Sequence, residues 1–233
     1  ALTYERDQEV VGWHRHVTSG RIVSCCVIPD DDEDKIYFAV ERNGKLMIEV
    51  MASRTVSEIE SAFFVDSGIV ATGSGLKTVS GLSHLEGETV QILADGAVQR
   101  SKVVKNGAVE LDEPADTVVC GLGFESLLSP MPIEIETQNG QSVLRNKVIG
   151  ELRIRLYDSV GGEAKCGGDS WQKIVSRDVL DDLLDSAIAR KDEVVTLNML
   201  SGFEQATSIE VRQTDPLPFN VNSMVVVYDV SER

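Results

Sequence analysis

Runs of β-branched and aromatic residues, separated by short turns, open the chain. Two such runs lie on either side of Thr18-Ser19-Gly20, between residues 9 and 27, and this pattern predicts a β-hairpin. Two more runs, KIYFAV and KLMIEVM, flank Asn43-Gly44, a dipeptide that strongly favours a two-residue hairpin turn. Four strands in succession therefore predict an antiparallel meander.

The middle of the chain, residues 66–132, has shorter β-rich runs between glycine-bearing turns. Five runs follow one another at even spacing: TVSGL, ETVQILA, AVQRSKVV, AVELD and DTVVCGL. Turns are predicted between them at Glu86-Gly87, Asp95-Gly96 and Asn106-Gly107. Such spacing is typical of a small β-barrel or β-sandwich, and the prolines at 130 and 132 end it.

Longer β-rich runs return in the last third, at residues 145–157, 193–200, 207–215 and 223–230. Because this part is similar in texture to the first 65 residues, the two are predicted to pair into one discontinuous domain, residues 1–65 and 133–233. Residues 66–132 would then be its insert. The predicted fold class is mostly β: an antiparallel β platform, a propeller being one arrangement of it, with an inserted small β-barrel or sandwich.

At most one or two short helices are expected. Thr55 and Glu58 are spaced as a capping box, which predicts a helical turn or two over residues 53–60. Apolar residues recur at helical spacing between Val179 and Ile188. A helix is therefore also predicted over residues 176–190.

Composition and charge narrow the classes of function. The 233 residues are 42% hydrophobic and 26% charged, enough to bury the core of one large domain or two smaller ones. Lys and Arg number 22 against 38 Asp and Glu, a net charge of −16. This balance argues against wrapping a nucleic-acid backbone, because such binding relies on Lys and Arg that replace counterions. No apolar run is long enough to span a membrane, so no membrane insertion is expected.

The four cysteines lack the spacing of a metal or redox site. Cys25 and Cys26 are adjacent, whereas Cys120 and Cys166 stand alone. Neighbours in a strand point to opposite faces, so Cys25 and Cys26 are not expected to form a disulfide. All four are interpreted as free thiols of a protein made in a reducing cytoplasm.

Three histidines restrict acid–base and metal chemistry. His14 and His16 would share one face of a strand and could offer two metal ligands, but no third ligand is spaced nearby. His84 lies beside Ser80 and Ser83 without the glycine pattern of a nucleophile elbow. All three histidines are therefore interpreted as structural or surface residues.

The glycine-rich and acidic segments of the sequence are also interpreted as structural features and not as binding sites. The glycines at 73–75 and 161–162 lack the lysine of a phosphate loop and are interpreted as turns. The acidic run at 30–34 lacks the ligand spacing of a calcium loop and is interpreted as a solvated turn. The aspartates at 181, 182 and 185 are interpreted as the polar side of the predicted helix.

Trp13 and Trp171 have no basic residues interleaved with them, as a platform for single-stranded nucleic acid would. Both are interpreted as core or interface anchors. No catalytic, cofactor-binding or metal-binding residue is predicted from these patterns. No cofactor is expected, and the protein is not predicted to be an enzyme.

Three blocks of the sequence carry a resemblance to a known family. They are YERDQEVVGWHRHVTSGRIVSCCVIP, VSGLSHLEGETVQILADGAVQRSKVVKNGAVELDEPADTVVCGLGFESLLSPMPIE and EVVTLNMLSGFEQATSIEVRQTDPLPFNVNSMVVVYDV. In this order they resemble tail-tube or nozzle structural proteins of bacteriophages and prophages. The middle domain of that family is often labelled FCCH-like, after a non-catalytic domain of ubiquitin-activating enzymes. Residues 176–190 depart from the family, in which an extended proline-rich connection stands there.

The resemblance implies a subunit of a short tail's tube or nozzle, repeated in a ring around the channel through which DNA leaves. It implies a virion protein made in the host bacterial cytoplasm, with other tail proteins as partners and no specific DNA binding. The chain opens with a strand already under way and is interpreted as a piece of a longer subunit. This piece alone is predicted to be monomeric or only weakly associated.

Two alternatives stay open. A β module on a phage tail could bind host-surface carbohydrate or a partner protein, but Phe124 is the one Phe, Trp or Tyr between Thr78 and Glu134, which disfavours stacking on sugars. An envelope glycoside hydrolase built on two carboxylates is the other alternative, and the separation of the carboxylates would decide it.

Overall fold

A computed structural model describes residues 2–7, 9–13, 15–31, 33–53, 55–133, 136–137, 140–141, 146–174, 187–199, 202 and 207–230. Antiparallel β-sheets account for most of these residues, and their helical segments are two short 3-10 turns, Ile59–Ser61 and Ser83–Leu85. Neither turn has the length or the apolar character to cross a membrane. The predicted mostly β fold class is confirmed.

The chain divides into two compact units, Ala1–Arg54 and Thr55–Arg233. The strands of the first unit are β1 (Leu2–Glu5), β2 (Val10–Trp13), β3 (Arg21–Ile28), β4 (Lys35–Arg42) and β5 (Lys45–Val50). Strands β1 and β2 pair with each other, and β3, β4 and β5 form a three-stranded meander. The predicted turn between β4 and β5 is confirmed, because Asn43 and Gly44 have φ values of 48° and 74°, as a type I′ hairpin requires.

The predicted hairpin across Thr18-Ser19-Gly20 is wrong, because β2 pairs with β1 and β3 pairs with β4. The buried Arg42 explains the difference. Its guanidinium donates hydrogen bonds to the hydroxyl groups of Thr18 and Ser19, so this segment is held beside the end of β4 instead of reversing tightly. Gly20 leaves the necessary room, since a β-carbon there would lie 2.7 Å from Cγ1 of Val40.

The second unit begins with a four-stranded sheet of order β6-β9-β7-β8. Its strands are β6 (Asp66–Ser80), β7 (Thr89–Ala94), β8 (Ala97–Val103) and β9 (Ala108–Leu122). The prediction of five short, even strands is wrong: TVSGL is mostly the end of β6, and AVELD and DTVVCGL belong to the single strand β9. Pro114 is tolerated inside β9 because the pairing register shifts beside it, between Glu110 and Ala115.

This four-stranded sheet is not closed into a barrel among the described residues. Pairing between β6 and β9 is interrupted between Thr72 and Leu76, so the glycines at 73–75 lie in the middle of β6 and not in a separate turn. Side chains from both halves of the long strands meet in one cluster of buried residues. Its members include Val79, Val90, Ile92, Val109, Leu111, Ala115, Val118 and Cys120.

The remaining strands form two further sheets and a small hairpin. They are β10 (Ser126–Leu128), β11 (Glu136–Thr137), β12 (Gly140–Gln141), β13 (Lys147–Tyr157), β14 (Glu163–Cys166), β15 (Gln172–Lys173), β16 (Val194–Asn198), β17 (Ile209–Gln213) and β18 (Asn220–Val230). The sheet orders are β16-β13-β18 and β10-β17-β14-β15, and β11 pairs with β12. The four long strands predicted in the last third are thereby confirmed.

These two sheets share one core, to which each contributes the inward side of its strands. Leu152 and Ile154 of β13 lie in the same cluster as Ala164 of β14 and Val211 of β17. A second shared cluster joins the β6-β9-β7-β8 sheet to the rest of the unit, since it contains Leu93 and Val119 together with Val160 and Leu217. The predicted insert therefore packs against its surroundings.

The predicted boundaries at 66 and 132 remain a prediction. Asp66 lies directly opposite Leu122 in the β6–β9 ladder, so the four-stranded sheet begins and ends at neighbouring points. The division between the two compact units falls instead after Arg54.

A helical turn or two was predicted over residues 53–60, and the structure has there the 3-10 turn Ile59–Ser61. It begins after Glu58, and no side chain caps it, so the capping box with Thr55 is wrong. Val56 and Ile59 instead pack against the buried cluster around Ala62 and Val65, and this packing decides the local backbone. Most of the helix predicted over residues 176–190 lies outside the described residues, and residues 187–190 are not helical.

Candidate interaction surface

The first unit has almost no core of its own. Among its residues whose burial is described, Val40 is the one buried apolar side chain, and all eight residues of β3 are exposed. Large apolar side chains of this unit are exposed by 45% or more at Tyr4, Val11, Trp13, Val17, Ile22, Val23, Val27, Ile28, Leu46, Ile48 and Val50. Soluble monomers rarely expose apolar patches on this scale, so the unit presents a surface suited to a partner.

The pairing register shows which of these side chains lie together. Residues directly opposite each other in neighbouring strands share a face of the sheet. One face, called the open face below, contains Cys26, Ile28, Tyr37, Ala39, Leu46, Ile48 and Val50. The other face contains Val40 and Arg42, beside which Thr18, Ser19 and Gly20 pack.

The open face is apolar at its centre and carries Arg21, Lys35 and Glu41 towards its ends. Leu46, Ile48 and Val50 are 64%, 71% and 50% exposed, and Ile28 is 51% exposed. Charged residues on this face are neutralised within the unit, because Arg21 forms an ion pair with Glu41 at 2.6 Å and Lys35 forms one with Asp30. A partner could therefore cover the centre of the face without burying an uncompensated charge.

The β1–β2 hairpin presents a smaller aromatic surface. Tyr4 lies opposite Val11, and Trp13, two residues further along β2, shares their face. Trp13 is 81% exposed and Tyr4 is 63% exposed. Trp13 is therefore not a core residue, which leaves its interpretation as an interface anchor.

Trp171 has a different environment in the second unit. The guanidinium carbon of Arg212 lies 4.0 Å from the centroid of its ring, and Nζ of Lys165 lies 4.8 Å from it. Arg212 also pairs with Glu163 at 2.7 Å. Trp171 therefore makes cation–π contacts with one basic side chain of β14 and one of β17.

Further exposed apolar side chains lie in and around β10 in the second unit. They are Phe124, Leu127, Leu128 and Met131, which are 42%, 53%, 44% and 88% exposed. Strand β10 is the edge of its sheet. Beside it runs a shallow groove of about 260 Å³ lined by Ser126, Leu127, Leu128, Val211, Phe219 and Val221.

Those residues considered for chemistry from the sequence that the structure describes are not brought together into one site. His14 and the aspartates at 181, 182 and 185 lie outside the described residues, and His16 is exposed. Nε2 of His84 is hydrogen-bonded to the carbonyl oxygen of Ser67 at 2.9 Å. Within the described part of the chain, no group of three or more His, Cys, Asp and Glu could hold a metal ion.

The acidic run at 30–34 lies at the surface wherever it is described. Lys35 hydrogen-bonds the carboxylate of Asp30 and holds the pKa of that carboxyl below its ordinary value, with help from the backbone N–H of Asp31. The run is therefore exposed, with one of its carboxylates paired to the lysine that follows it, as in a solvated turn.

The cysteines divide into two exposed and two buried thiols. Cys25 and Cys26 are exposed and free, and their alternation places Cys25 on the face of Phe38 and Val40 and Cys26 on the open face with Tyr37. Burial raises the pKa of Cys120 to about 12 and that of Cys166 to about 11. The exposed pair thus provides one native reactive group on each face of the sheet.

Two polar residues that the sequence did not single out hold long-range contacts. Gln213 donates from Nε2 to the carbonyl of Val160 at 2.8 Å, and its Oε1 accepts from the N–H of Thr214. Arg190 donates to the carbonyl groups of Val56 and Ser57 and to the carboxylate of Asp158. No sequence pattern marks either residue, because Val160 is distant from Gln213 along the chain, and Val56, Ser57 and Asp158 are distant from Arg190.

No protein-family model matches the chain, and none of the curated proteins matches its sequence.

Proposed function

We propose that this chain is part of a non-catalytic structural subunit of a bacteriophage or prophage short-tail tube or nozzle. The subunit would assemble with copies of itself, and with other tail proteins, around the channel through which DNA leaves. The observation that carries the proposal is the open face: the three-stranded sheet belongs to a unit with one described buried apolar side chain, Val40, so a partner that covered this face would bury apolar surface and add stability. The ordered resemblance of three sequence blocks to tail proteins supports the same class.

The charge of the chain supports a role beside moving DNA. A conduit must let a polyanion pass without retention, and each phosphate neutralised by Lys or Arg adds affinity. The net charge is −16, and many basic side chains in the described part of the chain already pair with carboxylates. They include Arg21, Lys35, Arg42, Lys102, Arg153, Lys165, Arg190 and Arg212.

Electron microscopy of the full-length protein tests the proposal. We expect closed rings, or copurification of the protein with tails, in preparations from infected or induced cells. A full-length protein that stays monomeric at high concentration and is absent from purified tails would overturn the proposal.

A second candidate function, a binding module for a host surface or partner protein, is favoured by the β1–β2 hairpin. Trp13 and Tyr4 are exposed on one face of it, and these are residue types that dominate binding hot spots. If this function holds, Trp13→Ala should abolish binding of the protein to host cells while leaving ring assembly intact. Loss of ring assembly with unchanged cell binding would instead assign the hairpin to the subunit interface.

A further inference from the structure

We propose that Asn43 is a site of spontaneous deamidation in the folded protein, and that Glu86 protects Asn106 from the same reaction. Deamidation converts an asparagine to aspartate or isoaspartate without an enzyme. Asparagine followed by glycine is the dipeptide most prone to it, since glycine has no β-carbon to shield its own nitrogen. This modification is independent of the function proposed above.

The reaction needs only the two residues of the dipeptide and water. The backbone nitrogen of Gly44 loses its proton to solvent and forms a bond to Cγ of Asn43. The bond from Cγ to Nδ2 breaks, and Nδ2 takes up a proton from solvent and leaves as ammonia. Water then opens the five-membered succinimide: attack at Cγ gives aspartate, and attack at the backbone carbonyl carbon gives isoaspartate.

The turns at Asn43 and Asn106 have the same backbone conformation. Asn43 and Gly44 have φ values of 48° and 74°, and Asn106 and Gly107 have 55° and 68°. Each dipeptide thus has the two positive φ angles of a type I′ turn, and a basic residue precedes each asparagine. Local sequence and turn type therefore give no reason for the two sites to react at different rates.

Glu86 holds the turn at Asn106 with both oxygens of its carboxylate. Its Oε1 accepts a hydrogen bond from the backbone N–H of Asn106 at 2.9 Å, and its Oε2 accepts one from the N–H of Gly107 at 2.7 Å. The carbonyl oxygen of Gly107 accepts from the N–H of Leu82 at 2.9 Å. The nitrogen that would attack is therefore bound by an anion, which opposes loss of its proton, and it cannot rotate without breaking these bonds.

The turn at Asn43 lacks this protection. Asn43 and Gly44 are both exposed. Within the described part of the chain, no atom beyond its two chain neighbours lies within 4 Å of a β-carbon placed on Gly44, and no group accepts a hydrogen bond from its N–H. Rotation of this turn disturbs only the end of the β4–β5 hairpin, where Arg42 lies opposite Lys45. The nitrogen of Gly44 can therefore approach Cγ of Asn43.

Deamidation at Asn43 would alter a turn that adjoins a buried arginine. Arg42 is 5% exposed and donates to the carboxylate of Glu49 and to two hydroxyl groups of the segment before β3. Isoaspartate lengthens the main chain by one atom, which a two-residue turn absorbs only by a change in its pairing. The modified chain would therefore gain a negative charge and lose part of the order at this end of the hairpin.

Ageing of the intact 233-residue chain, in buffer and in urea, tests the proposal. Samples are incubated at mildly alkaline pH and digested with a Glu-specific protease at mildly acidic pH, which limits further reaction. The digest places Asn43 in peptide 42–49 and Asn106 in peptide 89–110. The third Asn-Gly dipeptide, at 139–140, falls in another peptide. Mass spectrometry measures the fraction of each peptide in which an amide has become a carboxyl group.

We expect Asn43 of the folded chain to deamidate about tenfold faster than Asn106 or more, because a hydrogen bond to a charged group contributes at least that factor. In urea the two rates should become equal, since the contact with Glu86 is lost. Equal rates in the folded chain, or an Asn43 that deamidates only in urea, would overturn the proposal.

Removal of the protecting carboxylate tests the second part. Glu86→Ala should raise the rate at Asn106 about tenfold and leave the rate at Asn43 unchanged. Glu88→Ala is the matched control, because Glu88 is an exposed acidic residue of the same segment, and it should change neither rate. Glu86→Gln, which keeps the size of the side chain and removes its charge, takes the place of Glu86→Ala if that variant loses its β-sheet signal in circular dichroism. An unchanged rate at Asn106 in the folded Glu86 variant would show that this carboxylate does not protect it.

Discussion

Gly162 lies at a position where the fold leaves no room for a side chain. Its φ is +83°, and a β-carbon there would lie 2.3 Å from Cε2 of Phe219. Phe219 packs against the cluster between the two sheets of the second unit, so its ring cannot withdraw freely. Position 162 therefore requires glycine for two reasons: its backbone is left-handed, and the ring of Phe219 occupies the space of a β-carbon.

Replacement of this glycine by alanine should be clearly destabilising. Gly162→Ala should lower the free energy of unfolding by about 2–4 kcal/mol, the sum of left-handed backbone strain and overpacking. Urea denaturation followed by Trp171 fluorescence in a Trp13→Phe background measures it. Gly168→Ala is the control, because nothing lies within 4 Å of its β-carbon position, and equal unfolding midpoints for the two variants would contradict the prediction.

Arg190 is a second residue with a large expected effect, since it binds two backbone carbonyl groups and the carboxylate of Asp158. Arg190→Ala should cost about 1.5–3 kcal/mol, the range for hydrogen bonds to charged groups. Arg153→Ala, which removes an ion pair with Glu151 on an exposed face, should cost less than about 1 kcal/mol. Urea denaturation measures the loss in free energy of unfolding for both variants. A larger loss for Arg153→Ala than for Arg190→Ala would show that the Arg190 contacts add little.

At the scale of elements, the turns at Asn-Gly and Asp-Gly were predictable, whereas the turns predicted at residues 18–20 and 73–75 and several strand partners were not. Asp95 and Gly96 have φ values of 46° and 76°, and Asn106 and Gly107 have 55° and 68°. Such dipeptides adopt these angles at little cost, so local sequence is sufficient. The lengths of β6 and β9 are set by how these two strands pair with each other. Because they are distant along the chain, no local sequence pattern predicts that pairing.

The four-stranded sheet β6-β9-β7-β8 should be separable from the second unit. Its ends are adjacent, because Asp66 pairs with Leu122, and it has its own buried cluster. Residues 66–132 expressed alone should give a cooperative thermal transition, and the chain with this stretch excised should retain β structure.

Residues 66–132 alone, and the chain from which they are excised, should both be less stable than the whole chain. Leu93 and Val119 lose their contacts with Val160 and Leu217, and Gln91 loses the hydrogen bond from its Nε2 to the carbonyl of Thr214. Melting temperatures measured by circular dichroism compare the pieces with the whole. Failure of both pieces to fold would place the boundary elsewhere.

At the scale of the whole molecule, the acidic charge should prevent binding to duplex DNA. The net charge is −16, and screening limits repulsion to about 8–10 Å at physiological salt, so the effect is strongest in dilute buffer. Fluorescence anisotropy with a labelled 30-base-pair duplex should detect no binding at low salt. Micromolar binding that weakens steeply with added salt would reveal a basic groove and contradict a passive lining.

The sequence by itself determined the mostly β character, the type I′ turns and the position of β13, β16, β17 and β18. These features follow from alternation of apolar residues and from the φ preferences of Asn, Asp and Gly, both of which act over a few residues. The absence of metal or redox spacing among the cysteines could also be seen at this level.

Only the tertiary structure decided which strands pair and which surfaces stay open. Arg42 with Thr18 and Ser19, and Gln213 with Val160, are contacts between residues far apart in sequence, and they set the course of the chain. The open face is likewise a consequence of the pairing register, because a shift by one residue would exchange Ile48 for Met47. Exposure of that face depends on what packs against it in three dimensions, and a one-dimensional pattern of apolar residues is the same for a covered and an uncovered sheet.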